Sequence, residues 1–589
     1  MWFPSPRLVY VALLLAIICP SVFSFALPKA DDLINLLKRS PEPSNSVRNH
    51  SCQNGPQSRA CWGDFDIETD MDASWPDTGN TVKYTWEVSN TTGSPDGFER
   101  IMLLVNGQYP GPTLYANWGD NIEVTVTNNL ESNGTGIHWH GLRQLGTNDE
   151  DGTAGVTECP IPPGGSRTYR FKATQYGSSW WHSHYSVQYS EGVSGPIVIH
   201  GPSTKNWDID IGPLPFTDWF HTPVFTVNAA TLHANGPPTA DNMLVNGTMV
   251  SDFGGSYAVT TLKKGKTHLL RLMNNGINNW VNVALDGHPF TVIAADFNPI
   301  VPYSASSLTI ANGQRYDVVI NANQTVGNYW LRVDTGGGAC DGPNLMQGQI
   351  RGIFRYEGAD EENPDSEATS QLSTGCEDEK SLVPWVKTKV PQTTPQEMEV
   401  KFSNTIVEGA NLVQWLIGDS PMHLNISNPS IQQISHNGGN FTKPENTYAI
   451  GQAHKFQYWV IQQDPANLAA VPHPIHLHGH DFYVLAQESG KTWEGDISTL
   501  QMDNPPRRDT ATLPAKGYLV LAFESDNPGL WLMHCHIPFH LSQGFGIQFV
   551  ERADDITASL NNVNGGCADW HEWRQDYYPN GYSEGDISV

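Results

Sequence analysis

Positive charge is scarce in this sequence: 33 Lys and Arg stand against 61 Asp and Glu in 589 residues, a formal net charge of −28. Binding DNA or RNA needs a basic face that neutralises phosphates, so a nucleic-acid partner is excluded. Long apolar runs are nearly missing too. The run Leu8 to Cys19 follows Arg7 and precedes Pro20 and a small-residue site around Ser24 and Ala26. Spanning a bilayer takes about 18 or more apolar residues. No membrane anchor is therefore expected, and residues 1–26 read as a cleaved secretory signal. Helical heptads and low-complexity tracts are absent, which sets aside coiled coil. With 39% hydrophobic residues, disorder is set aside as well. What is plentiful is glycine (54), proline (41) and stretches rich in Asn, Thr and Val, the mark of many short strands joined by turns. An all-β chain of several domains is expected.

Other features agree with secretion. Lys38-Arg39 closes residues 27–39 as a dibasic propeptide site. Seven sequons, at Asn49, Asn90, Asn133, Asn246, Asn323, Asn425 and Asn440, fit an extracellular glycosylated surface. Of the eight cysteines, Cys19 leaves with the signal, and the remaining odd number leaves one thiol to explain. Cys535 sits between two histidines and is assigned to metal; Cys52, Cys61, Cys159, Cys340, Cys376 and Cys567 are left for three disulfides of open pairing.

Two patterns recur along the chain. A turn followed by a strand appears at Trp118-Gly119-Asp120 into Asn121 to Thr127, where Ile122, Val124 and Val126 alternate with polar residues; at Lys264-Gly265-Lys266 into His268 to Met273; and at Gly451 into Phe456 to Ile461. A strand, turn and aromatic strand recurs at Tyr169 to Tyr185, Tyr316 to Asp334 and Tyr518 to His536. Three copies imply three related domains. Boundaries follow from composition: domains at 50–202, 203–358 and 386–566, an acidic linker or surface loop at 359–385 and a C-terminal tail at 567–589. The first and third copies of the second pattern end in histidines, whereas the middle copy ends in Trp330-Leu331-Arg332-Val333. The outer domains carry the chemistry.

The histidines decide which chemistry. They cluster as His138-Trp139-His140, His182-Ser183-His184, His473-Pro474-Ile475-His476-Leu477-His478-Gly479-His480 and His534-Cys535-His536 with His540. Histidines two apart on a strand share a face, so each pair can converge on one site. Eleven clustered imidazoles are too many for a zinc hydrolase with its three or four ligands. One thiolate beside two imidazoles is the blue-copper arrangement. Cys535 faces away from its neighbours, so one strand can hold a single copper on one side and a copper cluster on the other.

These four motifs, in this order, resemble the multicopper oxidases, and more narrowly the secreted laccases of filamentous ascomycete fungi. The likeness runs from about Cys52 to the C-terminus and includes Glu158-Cys159-Pro160-Ile161-Pro162-Pro163-Gly164, Asn504-Pro505-Pro506-Arg507-Arg508-Asp509-Thr510 and Ser525-Asp526-Asn527-Pro528-Gly529. The resemblance implies three cupredoxin-like Greek-key β-sandwich domains and four coppers per chain. Carried over by position, His473, Cys535 and His540 hold the type 1 copper; His138 and His476 the type 2; His140, His182, His184, His478, His534 and His536 the type 3 pair. His480 falls outside this ligand set. Phe545 takes the axial position and cannot coordinate, which implies a high reduction potential. The implied disulfides are Cys52–Cys61, Cys159–Cys567 and Cys340–Cys376.

Function follows as expectation. Phenolic donors each give one electron at the type 1 site, beside His540, and dioxygen is reduced to water by four. Asp151 resembles the carboxylate that delivers protons to the cluster, although a turn aspartate before Gly152 looks the same in sequence. The family's second carboxylate, in the donor pocket, is not where the pattern puts it: Ser256 stands there, and spacing does not show whether Asp252 takes its place. The ending Asp586-Ile587-Ser588-Val589 is similar to a tail that plugs the oxygen channel. A secreted monomer is expected. A ferroxidase or ascorbate-type oxidase, and a blue-copper carrier without oxygen chemistry, stay open as alternatives; a carrier would need only His473, Cys535 and His540.

Overall fold

The computed structural model describes residues 52–577, except for 337–339, 558–559 and single positions at 235, 341, 374, 408, 438, 440, 465, 468 and 470. The signal, the propeptide and the ending at 586–589 lie outside the described residues.

The alternation read at Ile122, Val124 and Val126 forms the strand Asn121–Asn128, with those three side chains buried. That strand pairs parallel with Thr81–Gly93 and antiparallel with Ser166–Lys172. The same triplet is built twice more. Thr267–Asn274 lies parallel to Ile209–Trp219 and antiparallel to Arg315–Asn321, and Phe456–Gln463 lies parallel to Gln396–Val407 and antiparallel to Tyr518–Glu524. All three expected copies are therefore strands of equivalent topology, and the chain is all-β.

Each triplet is accompanied by a second sheet. The first contains Leu114–Asn117, Ser194–His200, Gly177–Ser183 and Ile137–Trp139 in spatial order. The second runs Val259–Leu262, Arg351–Tyr356, Asn328–Asp334, Val281–Leu285 and Leu308–Ile310. The third runs Thr447–Ile450, Gly546–Glu551, Gly529–Cys535, His473–Leu477 and Thr510–Leu513. Aromatic side chains fill the space between sheets: Trp86 lies 4.4 Å from Trp181 and 5.8 Å from Trp139, ring centre to ring centre. Burying such indoles away from water is the main driving force for the sandwich.

The cysteines pair as Cys52–Cys61, Cys159–Cys567 and Cys340–Cys376. Cys567 lies on an 18-residue helix, Leu560–Tyr577, that crosses the position where the sequence reading begins a tail. Val563, Cys567 and Trp570 are its buried stripe. That spacing is helical, but Gly565-Gly566 in its middle dilutes the signal. The stretch 359–385 is tied down rather than loose. Within it, buried Asp378 accepts hydrogen bonds from Gln314 (2.7 Å), Gln487 (2.9 Å) and both the backbone and hydroxyl of Thr512 (2.8 Å each). Among the described residues no helix is long and apolar enough to cross a membrane. The sequons at Asn90, Asn246, Asn323 and Asn425 are exposed.

Candidate metal centre

Four strand ends bring the histidines together. In the first sandwich His138 lies opposite His182 across an antiparallel pair; in the third, His476 lies opposite His534 and Ile475 opposite Cys535. Alternation sends His138 and His140 to one face and Trp139 to the core. Ser183, Leu477 and Cys535 sit between the other pairs in the same way. Eight imidazoles consequently converge from two sandwiches. His478 Nε2 is 3.2 Å from His534 Nε2, and His536 Nε2 is 3.2 Å from His140 Nδ1. The rings of His138 and His478, and of His140 and His476, stack at 3.8 Å.

Four of the rings are aimed by their outer nitrogen. His138 Nδ1 donates to the Asp151 carbonyl (3.0 Å), His182 Nδ1 to the Ser183 carbonyl (3.1 Å), His476 Nδ1 to the Asp509 carbonyl (2.8 Å) and His534 Nδ1 to the Cys535 carbonyl (2.9 Å). That leaves Nε2 of His138, His182 and His476 buried with no partner. Unpartnered buried nitrogens are costly, and here they sit within 4.8 Å of other imidazole nitrogens. This donor set fits metal. Burial, reinforced by the neighbouring imidazoles, holds His182, His184, His478 and His536 well below the usual histidine range, and His534 at about 4. The rings are therefore neutral, the form that ligates.

On the other face of the third sandwich, Cys535 Sγ lies 3.6 Å from His473 Nδ1 and 3.5 Å from His540 Nδ1, and the two nitrogens are 3.1 Å apart. His540 is placed by the short helix Pro538–Ser542 that follows the Cys535 strand. Phe545 packs 4.8 Å from the His473 ring, and Trp415 packs against both histidines at 4.5 and 5.0 Å.

Comparison with known proteins agrees with this geometry. Residues 87–204, 210–359 and 418–555 each match a multicopper oxidase family profile. The chain belongs to the multicopper oxidase family. It is 40% identical over 548 residues to a laccase of Neurospora crassa, covering 89% of this chain and 88% of that one. It is 46% identical over 456 residues to laccase-3 of Botryotinia fuckeliana, covering 75% of this chain and all (100%) of the relative. The crystal structure of the laccase from Botrytis aclada superposes with a TM-score of 0.85 at 40% identity, over 92% of this chain and 100% of that one. The three sandwiches are thus cupredoxin-like, the enzyme is an oxidoreductase, and its metal is copper, four ions per chain.

Around this multicopper oxidase centre, two carboxylates reach the histidines. Asp151 Oδ2 lies 2.9 Å from His478 Nδ1 and accepts from Thr153 Oγ1 (2.7 Å). Asp509, marked in sequence only by its place in Arg507-Arg508-Asp509-Thr510, lies with Oδ1 3.2 Å from His140 Nε2. Burial pushes its carboxyl up to about 6, against the pull of Arg315, whose two guanidinium nitrogens each bind it at 2.7 Å. The signal was the Arg507-Arg508-Asp509 charge run in a strand-rich stretch. Only the fold shows that Arg315, from the middle sandwich, is its partner. His480 is buried away from the cluster, with Nε2 2.9 Å from Glu551. Burial would lower its pKa, but Glu551 and Asp526 outweigh burial and raise it.

A cleft of about 80 Å³ opens beside His540, which is 8% exposed. Neither Asp252 nor Ser256 lines it. Asp252 is exposed on the turn between the short strands Val250–Ser251 and Gly254–Gly255, and Ser256 Oγ faces Thr248 at 3.3 Å. Asp252 does not take the carboxylate's place: a two-strand turn keeps it at the surface. Among the described residues no carboxylate lines the cleft.

Proposed function

We propose that the protein is a laccase, taking single electrons from phenolic donors at the cleft beside His540 and reducing dioxygen to water at the eight-histidine cluster. The observation that carries this reading is the strand Gly529–Cys535, where Cys535 faces His473 and His540 while adjoining His534 and His536 face the cluster. Laccase-named relatives at 40–46% identity over most of the chain support it.

In this reading His473, Cys535 and His540 would hold the type 1 copper, His138 and His476 the type 2, and His140, His182, His184, His478, His534 and His536 the type 3 pair. When bound, copper supplies one-electron acceptance at the cysteine site and four-electron reduction of dioxygen at the cluster. His540 offers the donor its edge at the cleft floor. Phe545, ten positions after Cys535, presents only carbon to the His473 side of the site, which keeps the reduction potential high. Asp151 Oδ1 is buried without a hydrogen-bond partner close to the cluster, a place to hold a proton bound for reduced oxygen. A secreted monomer completes the reading. Ferrous iron is the weaker donor candidate, because a cation would enter a cleft with no carboxylate among its described lining residues.

Oxygen uptake by the copper-loaded protein, offered a methoxyphenol, ferrous iron and ascorbate in parallel with copper determined on the same sample, tests this. Fastest uptake with the phenol is expected. Iron or ascorbate winning would make it a sister oxidase, and full copper without uptake would leave a carrier.

A further inference from the structure

We propose that Gly313, on a loop of the middle sandwich, positions the rings of His140 and His536 and so sets the geometry of the type 3 pair. The inference rests on the ligand reading above, and it gives the sandwich without copper ligands a part in the oxygen chemistry.

His140 comes from the first sandwich and His536 from the third, and their facing nitrogens are 3.2 Å apart. That spacing is set across a domain boundary. The four rings aimed by carbonyls each have a bonded outer nitrogen, but His536 differs: its Nδ1 is buried with no hydrogen-bond partner. Its orientation therefore comes from packing.

Gly313 supplies that packing. A methyl group on its Cα would lie 3.0 Å from His536 Cδ2, 3.1 Å from His536 Cγ and 3.1 Å from His140 Cε1. Carbon contacts are rarely so tight, and a side chain here would push one or both rings by a few tenths of an ångström. On His140 the pressure falls between two fixed points. Its Cε1 lies between Nδ1, which faces His536, and Nε2, which is 3.2 Å from Asp509 Oδ1.

The loop itself is tied down and does not retreat. Gly313 N–H donates to the Asn274 carbonyl (2.9 Å), and Asn274 N–H donates to the Gln314 carbonyl (3.1 Å). Gln314 Nε2 donates to the Thr510 carbonyl (3.1 Å) and to Asp378 (2.7 Å). Arg315 Nη1 donates both to the Gly313 carbonyl (3.1 Å) and to Asp509 (2.7 Å). These bonds join the middle sandwich to the third and, through Asp509, to the outer nitrogen of His140. The φ of Gly313 is +86°, in the left-handed region that favours glycine. Two demands meet at this residue: a backbone that glycine adopts freely, and a gap that takes no side chain.

The test sets Gly313→Ala against Gly212→Ala in the copper-loaded full chain. Gly212 is also in the middle sandwich, at φ +84°, but a methyl group there meets no atom within 4 Å. It imposes the same backbone strain without touching the cluster. Copper content, blue absorption and EPR are read on each protein. Two coupled copper(II) ions give no EPR signal, so the parent and Gly212→Ala should each show half of their four coppers. Gly313→Ala should keep the copper and the blue absorption but show a clearly larger visible share. Its kcat for oxygen reduction should fall roughly three- to tenfold, the effect of a sub-ångström misplacement. Gln314→Met cuts the loop's ties to Thr510 and Asp378 without adding bulk at position 313, and should raise the visible share to a lesser degree; if Gly313→Ala does not fold, this variant decides. An EPR share unchanged from the parent in the deciding variant, or the same rise in Gly212→Ala, would overturn the proposal. A parent whose copper is all EPR-visible would overturn the ligand reading, and the proposal with it.

Discussion

The first and third sandwiches and the middle one use the same strand pair for different ends. In the outer two, Ile137–Trp139 beside Gly177–Ser183 and His473–Leu477 beside Gly529–Cys535 set histidine opposite histidine. In the middle, Val281–Leu285 beside Asn328–Asp334 sets Ala284 opposite Arg332 and Val283 opposite Val333. Arg332 is tied to Asp286 by two bonds of 2.8 Å, a structural pair. A strand pair with histidines on one face is half a copper cluster, and two such halves must face each other. The middle sandwich has no half to offer, yet it supplies Arg315 to Asp509 and the Asp218-anchored loop of Asn278 to the cleft beside His540. It holds and shapes sites whose metal ligands others provide.

The largest effect expected from breaking this contrast comes at the strand Gly529–Cys535, whose end carries the proposed ligands of both sites. Cys535→Ser should abolish the blue absorption and bring turnover to background while the cluster histidines keep their copper; retained turnover would show that the electron route does not use this strand. Next is the middle sandwich's grip on the third. Arg315→Met leaves Asp509 and Asp296 buried without their shared cation, and breaking a buried pair in this way costs about 3–5 kcal/mol. A thermal midpoint unmoved by the change would reduce the middle sandwich to a spacer.

A smaller effect belongs to the first sandwich. Glu158 is buried, accepts from Tyr169 OH (3.0 Å) and lies 3.2 Å from Arg167; burial, only partly offset by Arg167, pushes it up to about 7. Between about 4.5 and 7 the folded carboxyl keeps a proton that the unfolded chain has released. Its contribution to stability is therefore full at acid pH and is lost as pH rises through that window. Glu158→Gln should flatten the decline of the melting temperature from acid to neutral pH, and an unchanged slope would count against this assignment. The smallest effect is at Phe545, which packs against the His473 ring at 4.8 Å. Phe545→Met should lower the reduction potential of the cysteine site, measured by redox titration, with copper content unchanged; a potential that stays put would remove Phe545 from the site.

The ligand pattern was open to sequence reading because strand geometry is local. Two residues of spacing fix a shared face wherever the strand lies, so the His-x-His motifs at 138, 182, 476 and 534 announced convergence before any contact was known. The three-fold repeat was equally legible, since each copy keeps its own turn and alternation. What escaped was non-local. Asn278 sits in a loop of small and amide residues with nothing to mark it, and its place at the cleft wall is set by Pro238 and Asp218, 40 and 60 positions away. Asp252 looked eligible by proximity in sequence, but a two-strand turn keeps it at the surface. The helix Leu560–Tyr577 was hidden by its two central glycines. It is held in place by the Cys159–Cys567 disulfide and by Trp570 Nε1 donating to Ser427 (2.9 Å), both contacts between distant segments.

The sequence by itself determined an acidic, all-β, three-part chain and the residue types of a copper oxidase, because periodicity and donor chemistry act over a few residues. The tertiary structure alone decided which rings meet, which nitrogens are left for metal, that Arg315 answers Asp509, and that no carboxylate among the described residues lines the cleft beside His540. The meeting of His140 with His536 and of Arg315 with Asp509 joins segments 396 and 194 residues apart, set by how whole sandwiches pack.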